Sequence, residues 1–136
     1  IMLKETITYK DYNDNERTED FYFHLTKAEI TEMEMSITGG LTEMINRVVA
    51  SQDVPAIIKI FKDLILKAYG EKSPDGKRFM KVDKDGTPLS IGFSQTEAYS
   101  QLFMKLATDA NAAANFINGI MPADIVEQNQ AQLSKS

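Results

Sequence analysis

His24 is the only histidine in the chain, and imidazole is the side chain best suited to acid–base work near neutral pH. It follows Tyr22 on the strand face opposite Phe21 and Phe23, with no partner serine or orienting acid at a recognisable spacing. A general base needs such partners, so the residues favour an exposed strand position. Asp83-Lys84-Asp85-Gly86 suggests calcium, because an EF-hand places oxygen ligands on alternate residues before its glycine and a bidentate Glu near its end. Only two aspartates precede Gly86, and Ser94-Gln95 stand where that Glu should come; the segment reads as a turn. Glu29, Glu32, Glu34 and Glu43 could be paired carboxylates, but glycosidase pairs face each other across a cleft, and an acidic helix run reads as a solvated face. There is no Gly-x-Ser-x-Gly elbow, no Gly-x-x-x-x-Gly-Lys loop and no cysteine, which removes thiolate catalysis, disulfides and thiolate-bound metals. The expectation is a protein that is not an enzyme, with no cofactor and no metal.

The bulk properties narrow the class further. At 136 residues, with 43% apolar and 26% charged residues, the chain fits one globular domain. Its net charge of −5, with basic residues scattered among acids, argues against nucleic-acid binding. No apolar run approaches the roughly 20 residues needed to cross a bilayer, so no membrane partner is expected. IMLKETITYK lacks the basic-then-apolar order of a signal peptide. Ile1 stands ahead of the first methionine and reads as a remnant. A soluble intracellular protein is the expectation.

The elements that would carry these residues can be read from periodicity. Leu3, Ile7 and Tyr9 alternate with Lys4, Thr6 and Thr8, and Phe21, Phe23 and Leu25 share one face of a second run. Asp11-Tyr12-Asn13-Asp14-Asn15 between them is turn chemistry, which predicts a hairpin lying against helices or extending a sheet. Thr26 and Glu29 form a capping box, with Leu25 stapling to Ile30. Gly39-Gly40 should end that helix, and a second is expected over 41–50. A third follows Asp53 with Pro55 in its first turn; its stripe of Val54, Ile57, Ile58, Phe61, Leu64, Ile65 and Ala68 makes it the core helix, ended by Gly70. Ser73-Pro74-Asp75-Gly76 and Asp83-Lys84-Asp85-Gly86 read as turns; Arg78–Val82 between them could be a short strand pairing with Leu89–Ile91, and residues 71–92 read as an ordered excursion or a mobile loop. Ser94, with Glu97, should cap a fourth helix whose inner face is Ala98, Tyr99, Leu102, Phe103 and Leu106. Asp109 should cap a fifth, running to Ile117 and closed by Asn118-Gly119. The fold class is α+β, mostly α: an N-terminal β-hairpin packed on about five helices. Residues 2–126 form the domain, and the polar 127–136 a disordered tail.

Met33, Met35 and Met44 flank the Gly-Gly break, with Met104 and Met121 further on. Methionine adapts to irregular partners, although core filling explains it as well. Ala110, Ala112, Ala113 and Ala114 permit close helix approach within the fold or across an interface. The hairpin edge and the broad stripe of the third helix both permit self-association.

Three segments together, LKETITYKDYNDNERTEDFYFHLTKAEITEME, PAIIKIFKDLILKAYGEKSPDGKRFMK and FSQTEAYSQLFMKLATDANAAANFINGIMP, resemble the tail assembly chaperones of long-tailed, siphovirus-type bacteriophages that infect Gram-positive bacteria. The resemblance spans about residues 2 to 126 and departs from the pattern over Lys81–Gly92. It implies a non-enzymatic protein that binds the tape measure protein, keeps it soluble and helps recruit tail tube protein. Such a protein acts in the cytoplasm of the infected host and is absent from the mature virion. Many members also have a longer, frameshifted form, to which the tail from Glu127 to Ser136 would suit a junction. No family motif assigns binding residues. The apolar overflow of the third helix, Ile60, Leu66 and Tyr69, and the C-terminal Met121, Ile125 and Val126 are the expected contacts. The competing expectation is a structural virion component, a tail tube or tail completion subunit using its hairpin to extend a ring of sheets.

Overall fold

Alternating side chains on two runs of eight residues build the hairpin on which later helices pack. The computed structural model describes residues 2–36, 50 and 54–122. β1 (Leu3–Lys10) and β2 (Glu16–Phe23) pair antiparallel from Leu3↔Phe23 to Lys10↔Glu16. Asp11 organises the connection: one carboxylate oxygen accepts the amides of Asn13 and Asn15, and the other takes the Arg17 guanidinium at 2.6 Å. Asp14 sits at φ 64°, a left-handed conformation that Asp tolerates better than most residues. Strand period places Leu3, Ile7, Tyr9, Phe21 and Phe23 on one face. The other face carries cross-strand polar pairs, Thr6 to Asp20 at 2.6 Å and Thr8 to Thr18 at 2.9 Å.

The hairpin does extend a sheet. β3 (Tyr69–Lys72) and β4 (Phe79–Met80) add to it in the order β1-β2-β3-β4, every neighbouring pair antiparallel. Five helices occupy the described residues: α1 (Lys27–Ser36), α2 (Val54–Ala68), α3 (Leu89–Ser94), α4 (Glu97–Thr108) and α5 (Ala110–Ile120). The fold is α+β and mostly α, as the periodicity indicates. α4 and α5 pack on β1, and α3 packs on β3. The largest fully buried side chains among the described residues are Phe23, Phe116, Leu25, Ile65 and Ile120.

Local capping signals translate directly into structure. Thr26 accepts the Glu29 amide at 3.1 Å while Glu29 accepts the Thr26 amide at 2.9 Å, the reciprocal box expected for α1. Leu25 and Ile30, the two halves of the staple, are both buried. Asp109 accepts the amides of Asn111 and Ala112 at the start of α5. The Gly39-Gly40 break and the helix expected over 41–50 lie, apart from Ala50, outside the described residues. So do Ile125, Val126 and the tail.

Several boundaries differ from expectation, each for a tertiary reason. Gly70 does not end the core helix: α2 stops at Ala68, and Gly70 pairs with Tyr22 inside β3. A Cβ there would stand 2.7 Å from the Phe79 ring and 2.8 Å from the Met80 carbonyl oxygen, so glycine lets β4 close on β3. Residues 79–80 pair with β3 rather than with Leu89–Ile91, and a Val82↔Pro88 bridge spans the second turn. Leu89–Ile91 opens a helix because Pro88, at φ −59°, presets its entry. The N-cap of α4 is Thr96, which accepts the Tyr99 amide; Ser94 ends α3 and donates to the Ile91 carbonyl. α5 runs through Asn118-Gly119 to Ile120, and Gly119 makes room for Leu3, whose Cδ1 lies 2.9 Å from the place a Cβ would take.

These contacts separate two glycines that look alike in sequence. Gly70→Ala is expected to destabilise by about 2 kcal/mol, the cost of overpacking against backbone. Gly92→Ala, inside α3 with open space around it, is expected to be neutral or to stabilise by up to about 1 kcal/mol. Denaturant midpoints measured on both variants check the pair.

Candidate partner-binding surface

Several of the side chains that could do chemistry hold turns and corners. Asp83 accepts the amides of Asp85 and Thr87, and Gly86 closes that turn at φ 82°. Ser73 donates to Asp75 at 2.6 Å and accepts the Arg78 amide. The Ser73 hydroxyl and the Lys77 amide hold the Asp75 carboxyl below its usual range. Glu32 and Glu34 are exposed, whereas Glu29 is half-buried.

Lys81 is the charge that joins separate elements. Its ammonium donates to the carbonyls of His24 at 2.9 Å and Lys67 at 2.6 Å, and faces Glu29 Oε2 at 3.4 Å. It also sits 5.3 Å from the centre of the Phe79 ring. One side chain thereby ties the end of β2, the start of α1 and the carbonyl end of α2 to β4, where a cation complements the helix dipole. Burial pushes the Lys81 ammonium below its ordinary pKa, and Glu29 offsets only part of that. For Glu29, burial pushes the carboxyl up, but the Thr26 amide and hydroxyl and the Lys81 ammonium outweigh it and hold it below the usual range.

His24 is half-buried rather than exposed, because β4 brings Phe79 edge-on against its ring at 6.3 Å. Its Nδ1 is buried with no hydrogen-bond partner among the described residues, and burial, reinforced by the N-terminal ammonium and then by Lys81, pushes its pKa below the ordinary value. Neither a nucleophile nor an orienting acid from those residues meets that nitrogen.

The residues expected to contact a partner fall in two places. Ile60, Leu66, Tyr69 and Met121 are partly buried and pack against the core. Tyr69 stacks on Phe93 with ring centres 4.3 Å apart, and burial lifts its phenol to about 12; it is a neutral packing ring at physiological pH. Ile125 and Val126 lie outside the described residues. Among the described residues, the large apolar side chains left in solvent are others: Met35 (83% exposed), Met104 (55%), Ile58 (39%), Tyr12, Val82 and Ile91. Ile58, Ile91 and Met104 belong to α2, α3 and α4, three helices that pack on one another. An open groove of about 820 Å³ runs beside β4, with Phe79, Met80, Val82 and Leu89 among basic and acidic side chains. Met104 was legible as an adaptable methionine; Ile58 and Ile91 carried no signal distinguishing them from buried neighbours.

The corner around Lys81 gives a quantitative test. Lys81→Ala leaves two carbonyls and one carboxylate without this donor, and a loss of about 1–3 kcal/mol is expected. Lys84→Ala, on the exposed turn, should stay within about 0.5 kcal/mol of the parent. Chemical denaturation of both variants measures the difference.

Among the described residues no helix is long and apolar enough to cross a membrane. Comparison with curated proteins and with solved structures returns no match. A scan against protein-family models matches residues 2–136, nearly the whole chain, to the family described as phage tail assembly chaperone. The chain therefore belongs to the phage tail assembly chaperone family.

Proposed function

We propose that this chain binds the tape measure protein of a long-tailed, siphovirus-type phage of a Gram-positive host, keeps it soluble and helps recruit tail tube protein. It does so in the cytoplasm of the infected cell, without catalysis, and does not remain in the mature virion. The observation that carries this reading is the family match across residues 2–136. The surface supports it: three mutually packed helices each leave a large apolar side chain in solvent, Ile58, Ile91 and Met104. Exposed apolar area of this kind suits a client with long apolar helical stripes. Ile60, Leu66, Tyr69 and Met121, partly buried against the core, and Ile125 and Val126, which follow Met121 in sequence, complete the proposed contact residues.

A virion subunit that extends a ring of sheets would use β1, which pairs only with β2 among the described residues. Two features of that edge oppose strand addition. Lys4 and Lys10 are exposed on it, and Glu5 points to the helix side, 3.7 Å from Lys105. Lysines and inward charges are devices that blunt sheet edges.

Co-expression with the tape measure protein of the same phage tests the proposal. A soluble complex is expected, and the double variant Ile58→Glu, Met104→Glu should weaken it at least about tenfold, equivalent to ~1.4 kcal/mol, with an unchanged melting temperature. A tape measure protein that stays equally insoluble with and without this chain sinks the reading. Mass spectrometry of purified particles should find the chain absent; stoichiometric presence would favour the virion subunit.

A further inference from the structure

The corner around His24 combines features that neither folding nor the proposed binding requires. The main chain of His24 is clamped on both sides: its amide donates to the Ala68 carbonyl at 2.9 Å, and its carbonyl accepts Lys81 at 2.9 Å. Its ring lies edge-on to Phe79, with Nδ1 sealed from solvent and lacking an acceptor among the described residues. The charges that act on the ring are the N-terminal ammonium and Lys81, which oppose a second cation, and Glu29, which favours one. Lys81, after β4, brings a cation; Glu29, from α1, brings a carboxylate. α2 brings the carbonyls of Lys67 and Ala68, already used by Lys81 and by the His24 amide, while the Lys67 side chain is exposed.

A neutral imidazole fits this corner and an imidazolium does not. Protonation would put a second cation beside Lys81 and create an Nδ1–H donor that no described residue accepts. Glu29, the carboxylate facing the corner, is divided between the Thr26 amide through Oε1 and Lys81 through Oε2. The carbonyl end of α2 would ordinarily favour imidazolium, but the two carbonyls that face the corner are taken. Relief requires either the ring or Lys81 to leave, and each departure breaks the seam between β4 and the β2–α1 junction.

We propose that His24 is an acid-operated latch whose protonation parts β4 and the start of α1 from the carbonyl end of α2, leaving the aromatic core assembled and uncovering Phe79 beside its groove.

The direction in pH is set by linkage. A histidine whose folded pKa lies below its unfolded value of about 6.5 contributes stability that is fully present above that value and is lost as pH falls toward the folded pKa. Glu29, held below the usual carboxylate range, stays ionised over this window and gives way only at lower pH. Between pH 7.5 and pH 5.5 the latch therefore moves through His24.

Amide hydrogen exchange of the full chain at those two pH values, corrected for intrinsic rates, tests this. Protection of residues 24–30 and 78–82 should fall about tenfold per pKa unit between the two states, while Leu102, Leu106 and Phe116 keep theirs. The His24→Gln variant should lose this pH dependence. Unchanged local protection, loss of protection everywhere together, or an identical response in His24→Gln would each overturn the proposal. Should His24→Gln fail to fold, NMR titration of the His24 ring in the parent chain decides. A midpoint below 6.5 that coincides with the local opening supports the latch, and one at or above 6.5 overturns it.

Discussion

A sheet with one apolar face must be covered, and Phe23 is where that requirement concentrates. It lies in β2, opposite Leu3 and Tyr69 of the two flanking strands. Its ring meets Tyr69 at 5.8 Å, Phe93 at 5.7 Å and Phe116 at 5.3 Å, all edge-on. Sheet, α3 and α5 are thus joined through one side chain that is fully buried. Burying an aromatic ring of this size contributes roughly 1.5–3 kcal/mol, and edge-to-face pairs add about 0.5–1.5 kcal/mol each. Phe93 repeats the pattern from the helix side, touching Phe21, Phe23, Tyr69 and Tyr99. The helices are placed by these rings more than by their own propensities: α3 has six residues, too few to persist alone.

How far the sequence could be read depends on the range of the interactions involved. The hairpin faces, the Thr26–Glu29 box and the Asp109 cap were legible because donor, acceptor and period lie within a few residues. Gly70 and Gly119 were misread as helix stops because glycine serves both for termination and for close approach, and the deciding neighbours, Phe79 and Leu3, are tertiary. Ser94 and Thr96 both stand ahead of Glu97 and offer the same hydroxyl, so only the end of α3 at Ser94 selects Thr96. Leu89–Ile91 is too short for its period to separate strand from helix. Of the candidate surface, Ile58 differs from Ile57 by one position on a broad apolar arc bounded by Lys59, Lys62, Asp63 and Lys67, and the place on that arc where covering stops is set by tertiary neighbours.

The polar chemistry has a common structural logic. Glu29, Asp83 and Asp109 accept backbone amides at turns and caps, and Lys81 serves one carbonyl at the end of α2 and one just after β2. Apolar surface, by contrast, is left uncovered on α2, α3 and α4. A net charge of −5 helps keep such a surface from associating with itself. That division of labour suits a member of a chaperone family: polar groups hold the shape, and apolar groups remain available.

The contact of Leu3 with Gly119, together with the hydrogen bond from the Leu25 amide to the Ile120 carbonyl, has a consequence for biosynthesis. The first two strands leave the ribosome well before α3, α4 and α5, which pack on their sheet. At roughly 5–20 residues per second, Leu3, Ile7, Phe21 and Phe23 wait on the order of 5–20 s for their cover. During that interval the nascent chain displays an unprotected apolar strand surface of its own. A protein of the chaperone family is thus, while being made, subject to the hazard of its proposed client.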